Sequence, residues 1–69
     1  MIIKLKNNGG YGGLEGIAFP LEIRARRHSL CFGASVLGLD LNVVIGNDKH
    51  FEPSEGYLFS PSEFEVIEE

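Results

Sequence analysis

Apolar and polar side chains alternate along most of this 69-residue chain, and a period of two predicts strands rather than helices. Met1, Ile3 and Leu5 fall on one side of the first run, with Ile2, Lys4 and Lys6 on the other. In the second run Ile17, Phe19, Leu21, Ile23 and Ala25 oppose Ala18, Pro20, Glu22, Arg24 and Arg26. One buried and one solvated face is the signature of an antiparallel sheet. Pro20 has no N–H to donate, so this strand is expected to lie at an edge there or to bulge.

The middle of the chain switches parity. Leu30, Phe32, Ala34 and Val36 share one phase, and Leu37, Leu39, Leu41, Val43 and Ile45 share the other. A slip of one residue moves every side chain across a sheet, so a bulge, turn or break is expected between Val36 and Leu37, with Gly33 and Gly38 supplying the bend. A buried helix over residues 34–41 is the competing reading. The two glycines and the β-branched Val43-Val44-Ile45 end favour strands. Gly46-Asn47-Asp48-Lys49 is a turn signal, predicting a hairpin from residues 43–45 to His50 and Phe51. After the turn Pro53-Ser54-Glu55-Gly56 and the apolar triplet Tyr57-Leu58-Phe59 comes Ser60-Pro61-Ser62-Glu63. A capping serine, a proline at the first helical position and a glutamate three residues after the cap spell one helical turn. Alternation resumes at once in Phe64-Glu65-Val66-Ile67, so that turn is expected to be a single 3₁₀ turn between strands.

Between the first two runs, residues 7–16 read NNGGYGGLEG and hold five of the nine glycines. The stretch lacks a Gly-Lys-Ser/Thr ending, does not match G-x-G-x-x-G, and leads into a strand, so no helix N-terminus waits for a phosphate. It reads as a tight or mobile connection. Tyr11, an aromatic among glycines, is expected either to fold back as a lid or to serve as a contact anchor.

Five short strands, a long glycine-rich first connection, and the segment YLFSPSEFEVIEE with its Ser-Pro turn before an acidic last strand resemble an SH3-like small β-barrel. The likeness spans nearly the whole chain as a pattern. It implies an all-β domain over residues 1–69, a five-stranded antiparallel barrel with one 3₁₀ turn before the last strand. An OB-like or other five-stranded barrel fits the strand count as well. The expected core is Ile3, Leu5, Ile17, Phe19, Leu21, Ile23, Leu39, Leu41, Val43, Phe64 and Val66. The chain has no tryptophan and no ALYDY-type segment, so the groove with which signalling SH3 domains bind proline-rich peptides does not carry over. KOW-type nucleic-acid modules, also SH3-like, usually present more basic residues than these six.

A domain this small buries only about 60% of the surface its unfolded chain exposes, so a single small core is expected. The one cysteine, Cys31, cannot form an intramolecular disulfide and reads as a small buried hydrophobe. His28 lies three residues away and, on a strand, faces the opposite side. No window approaches a membrane span and no signal peptide is apparent, so a cytoplasmic chain beginning at Met1 and complete in itself is expected.

The net charge of −4 conceals a division. Residues 1–35 carry Lys4, Lys6, Arg24, Arg26 and Arg27 against Glu15 and Glu22, a balance of +3; residues 36–69 carry Lys49 against eight carboxylates, a balance of −7. If the first two strands pair, Lys4, Lys6, Arg24 and Arg26 gather on one sheet face, with Arg27 beside them. That face would suit an acidic protein or nucleic-acid phosphates, unless it is neutralised by Glu63 and Glu65 of the last strand. The overall negative charge favours a protein over a polyanion.

Catalysis finds no support. Glu63, Glu65, Glu68 and Glu69 sit on a terminal strand without a sign of a cleft, and Ser29 beside His28 points away from it on a strand. His50 with Asp48 and Glu52 reads as a solvated turn rather than a metal site. The expectation is a non-enzymatic module with no cofactor, metal or membrane, binding a protein partner through Tyr11, Lys4, Lys6, Arg24, Arg26 and Arg27. In size and composition it looks like small bacterial or phage products that dock on a larger host protein and modulate it. The alternatives are a nucleic-acid-binding barrel and a self-associating structural protein in which the +3 half of one copy meets the −7 half of another.

Overall fold

A computed structural model describes residues 1–28, 33–46 and 50–69. Cys31, Ser29, Leu30 and Phe32, and the Asn47-Asp48-Lys49 part of the expected turn, lie outside the described residues. Among the described residues the chain forms two three-stranded antiparallel sheets and one short helix. One sheet has the order β2-β1-β6, from β1 (Ile2–Leu5), β2 (Leu21–Arg24) and β6 (Phe64–Glu68). The other has the order β3-β4-β5, from β3 (Arg26–Arg27), β4 (Ala34–Leu37) and β5 (Gly56–Phe59).

The alternating second run is shorter than its sequence pattern, and it crosses between sheets. Its first residues lie outside the ladder, the Phe19–Pro20 peptide bond is cis, and pairing begins at Leu21 on the edge of the first sheet. Buried Ala25 separates β2 from β3. The Ala25 N–H donates to the Met1 carbonyl at 2.8 Å and the Met1 amine donates to the Ala25 carbonyl at 3.2 Å, so the bend loses no backbone partner. One predicted strand thereby becomes two, and the described residues hold six strands where five were expected. Among the described residues no ladder joins β5 to β6, so the sheets do not close on each other.

The larger correction is at residues 37–45, where the expected strand is a helix, α1 (Gly38–Ile45). Leu39, Leu41, Val43 and Ile45 alternate, yet only Leu41 is buried. A short run apolar on nearly every side cannot be told from a strand by period alone. Local contacts decide it. The Gly38 N–H donates to the Glu55 carbonyl at 2.8 Å and the Leu39 N–H to the Pro53 carbonyl at 3.2 Å, which satisfies first-turn donors without a capping side chain. Asn42 clamps Phe51, its amide donating to the Phe51 carbonyl and its Oδ1 accepting from the Phe51 N–H, both at 2.8 Å. Gly38, which weighed against a helix, is required by packing: a Cβ there would collide with the Glu52 carbonyl oxygen. The predicted hairpin from residues 43–45 is overturned with the strand, since those residues end α1 at Gly46 (φ 87°).

The single 3₁₀ turn before the last strand is present at Pro61–Glu63. Glu63 Oε1 accepts from the Ser60 N–H at 2.9 Å and from the Ser60 hydroxyl at 3.0 Å. Of the expected core, Ile3, Leu5, Ile23, Leu41 and Phe64 are buried, and Ile17, Phe19 and Leu21 are partly buried against it. Leu39, Val43 and Val66 are exposed instead. Leu14, Ala25, Ala34, Val36, Phe51, Tyr57 and Phe59 complete the core that lies between the sheets. No helix among the described residues is long and apolar enough to cross a membrane.

Candidate functional site

The sheet register puts Lys4 and Arg24 on one face, as expected from pairing of the first two strands, and interleaves them with carboxylates. β1 pairs with both β2 and β6, so Lys4 stands between Glu22 and Glu65, its opposite neighbours. In the next row Ile2 stands between Arg24 and Glu68. Arg27 forms a 2.8 Å ion pair with Glu69, both side chains largely exposed. Lys6 is exposed at the end of β1, where its backbone N–H is held by the Glu63 carbonyl at 2.8 Å. Cation and carboxylate alternate across this surface, because the acidic last strand lies beside the basic first one.

Arg24 and Arg26 are different. They flank Ala25 at the bend between the sheets, and among the described residues neither side chain has an ion-pair or hydrogen-bond partner. Both line an open groove of about 300 Å³. Met1, Ala25, Leu37 and Leu39 give it apolar walls, and Ser35 and Asp40 add one hydroxyl and one carboxylate. The groove therefore combines aliphatic lining with two guanidinium groups and one carboxylate.

The helix beside the groove extends the apolar surface. Leu39 and Val43 are one turn apart and are 53% and 77% exposed, and adjacent Val44 is 43% exposed. A helix of a small domain normally turns charged residues to water on the face opposite its core contacts. Here Asp40 is the one charged residue on α1, and the outward face is aliphatic. Branched aliphatics grouped beside an apolar groove mark an interaction surface more often than scattered ones do. The sequence carried a signal for this surface: LGLDLNVVI contains no lysine, arginine or glutamate with which to wet a second face.

Tyr11 lies elsewhere and is already engaged. Its hydroxyl accepts from the Leu58 N–H at 2.9 Å and donates to the Leu58 carbonyl at 3.1 Å. β5 is an edge strand, so Tyr11 occupies both hydrogen-bonding groups that Leu58 would offer to a further strand. Its ring meets Tyr57 and Phe59 edge-on, with centroids 5.1 and 5.8 Å away. The loop is built for this placement. Asn7 and Asn8 accept from the N–H groups of Gly9 and Gly10 at 2.8 and 2.9 Å, and residues Gly12–Leu14 form a 3₁₀ turn that buries Leu14. Gly9 sits at φ 64°, where a Cβ would come within 2.8 Å of the Phe59 ring. The contacts fold Tyr11 back onto β5.

Burial, and after it the Glu55 carboxylate and Tyr11, raise the Tyr57 phenol above its ordinary value. Asp48 lies outside the described residues, and His50 is exposed. Comparison with known families, with characterised proteins and with solved structures finds no match for this chain.

Proposed function

We propose that this chain is a small non-catalytic protein-binding module that engages its partner through α1 and the Arg24/Arg26 groove. The observation that carries the reading is the bare aliphatic face of Leu39, Val43 and Val44 beside two arginines whose side chains have no partner among the described residues. Such a surface suits a protein segment with aliphatic side chains and carboxylates. The aliphatic groups bury area, and the guanidinium groups orient a carboxylate through paired N–H donors. A polyanion would find Lys4 flanked by Glu22 and Glu65 and Arg27 held by Glu69, which leaves few free cations for a phosphate track. On the same reading the two sheets form an SH3-like outline. A strand passing from one sheet to the other and the 3₁₀ turn before the last strand support it, with α1 standing in the connection between β4 and β5.

The test is affinity capture from the source cell's lysate with three baits: the wild-type chain, Val43→Gln, and Arg24→Glu/Arg26→Glu. A protein retained by the first and lost from both others supports the surface. Retention by all three removes it. Binding of a plain DNA or RNA oligonucleotide at low salt, falling steeply as salt rises, would replace the protein reading with a nucleic-acid one.

A further inference from the structure

The edge strands of the two sheets differ in what they offer a neighbour. On β5, Tyr11 already holds the Leu58 N–H and carbonyl. β3 is short and wholly arginine, and β6 carries Glu65 and Glu68 without a cation. Such devices keep an edge from pairing with another chain. β2 has none of them among the described residues. Ala25 exchanges both its backbone bonds with Met1. Along an antiparallel ladder, residues alternate between turning their backbone groups to the neighbour and turning them away. Ile23 therefore faces Ile3, and Glu22 and Arg24 turn their N–H and carbonyl groups off the open edge. Both residues are exposed, and those groups have no partner among the described residues.

We infer that β2 is a self-association edge, pairing antiparallel with β2 of a second copy about a twofold axis at Ile23. With Ile23 opposite Ile23, Glu22 of each copy faces Arg24 of the other. Each of those facing pairs exchanges both its N–H···O=C bonds, so no backbone group of Glu22 or Arg24 is left over. A register centred on Glu22 or on Arg24 would instead set like charges opposite each other. The rows behind the interface agree. One row runs Glu65, Lys4 and Glu22, then Arg24, Ile2 and Glu68 of the second copy. Its twofold mate is the same row reversed, so no direct neighbours on the outer face carry like charge. On the inner face Leu21 and Ile23 are apolar in both chains. The first sheet of each copy then joins the other in the order β6-β1-β2-β2-β1-β6. A twofold contact uses the same patch on both chains and closes at two. This goes beyond the α1 reading and rests on backbone groups that reading does not use.

Sedimentation equilibrium and amide hydrogen exchange across a concentration series test this. The edge is short, so the series extends to about 1 mM chain. The wild-type chain is expected to approach twice its monomer mass. Exchange at the Glu22 and Arg24 amides should slow about tenfold or more as the dimer forms, while Ile23, already bonded to Ile3, changes little. Glu22→Arg alone and Arg24→Glu alone set like charges opposite each other, and each should dimerise about tenfold more weakly or worse. An equimolar mixture of the two is expected to form a heterodimer, and the double variant Glu22→Arg/Arg24→Glu to recover the homodimer. Arg26→Glu, in the groove but off this edge, should dimerise as the wild type does, which separates the edge from the α1 surface. A wild-type monomer at about 1 mM overturns the inference. So does a dimer whose Glu22 and Arg24 amides exchange as in the monomer, a dimer indifferent to both single reversals, or a folded double variant that stays monomeric. Should Glu22→Arg beside Lys4 fail to fold, the wild-type exchange pattern still decides.

Discussion

The glycine-rich loop and α1 invert what their sequences advertise. NNGGYGGLEG looks like a contact loop, with free backbone and one unexplained aromatic, yet its Tyr11 is spent on Leu58, Tyr57 and Phe59. LGLDLNVVI looks like core, yet Leu39, Val43 and Val44 face water. The loop's aromatic is engaged within the chain, and the helix's aliphatic face is left exposed. A surface is marked for a partner by groups left unsatisfied after folding, and composition alone does not count those.

The hardest break in this comparison is at Gly38, which anchors the helix that holds the bare face. Gly38→Ala forces a Cβ into the Glu52 carbonyl and should displace the segment that supplies both helix-capping carbonyls. Overpacking against backbone costs about 3 kcal/mol, a large fraction of the few kcal/mol a domain of this size has. Chemical denaturation is expected to show a midpoint lowered to the verge of unfolding. An unchanged midpoint would mean that α1 does not pack on residues 51–55 as described.

Next in size is the loop. Tyr11→Ala removes two edge-on ring contacts and two hydrogen bonds at the border of β5, and should cost about 2–3 kcal/mol. Tyr11→Phe keeps the ring and should cost about 1–2 kcal/mol. Hydrogen exchange at the Leu58 amide should accelerate in both. A Tyr11→Ala chain of full stability that loses its protein partner would restore the contact-anchor role and reverse the comparison.

How much of this was legible in the chain follows from which forces are local. The capping box at Ser60 and Glu63 and the strand phases of Ile3, Leu5 and Ile23 are local or strictly periodic, and they stand. The phase of Leu37 to Ile45 fits a strand and a helix alike. The choice is made by carbonyls of Pro53 and Glu55 and by Asn42 reaching Phe51, contacts that no window of neighbouring residues contains. Of the expected site residues, Arg24 and Arg26 reach the groove because they flank a buried alanine at a bend. Lys4 and Arg27 were indistinguishable from them in sequence; strand register sets Glu22 and Glu65 beside Lys4, and an ion pair between the two sheets' ends holds Arg27 to Glu69.

A smaller effect comes through Tyr57, which lies between the two regions, touching Tyr11 on one side and Phe51 on the other. Its phenol is held above its ordinary value, so the folded state retains the proton more firmly than the unfolded state. The stability this contributes is complete below the unfolded value, about pH 10, and is lost as pH rises through the folded one. Stability measured from pH 9 to 12 should fall more steeply for the wild-type chain than for Tyr57→Phe. Parallel curves would show that the phenol does not couple to folding.

The smallest change in stability is expected at the most exposed aliphatic residue, and it sharpens the comparison most. Val43 is 77% exposed on α1, so Val43→Gln removes little buried area and replaces a β-branched residue with a better helix former. Its thermal midpoint should match the wild type or rise slightly, within about 0.5 kcal/mol. A residue kept for folding would behave otherwise. If Val43→Gln lowers stability by several times that amount, α1 is packed where it is drawn bare, and the aliphatic face belongs to the core of this chain. If stability holds while association is lost, the valine contributes to contact with another molecule and to nothing within its own fold.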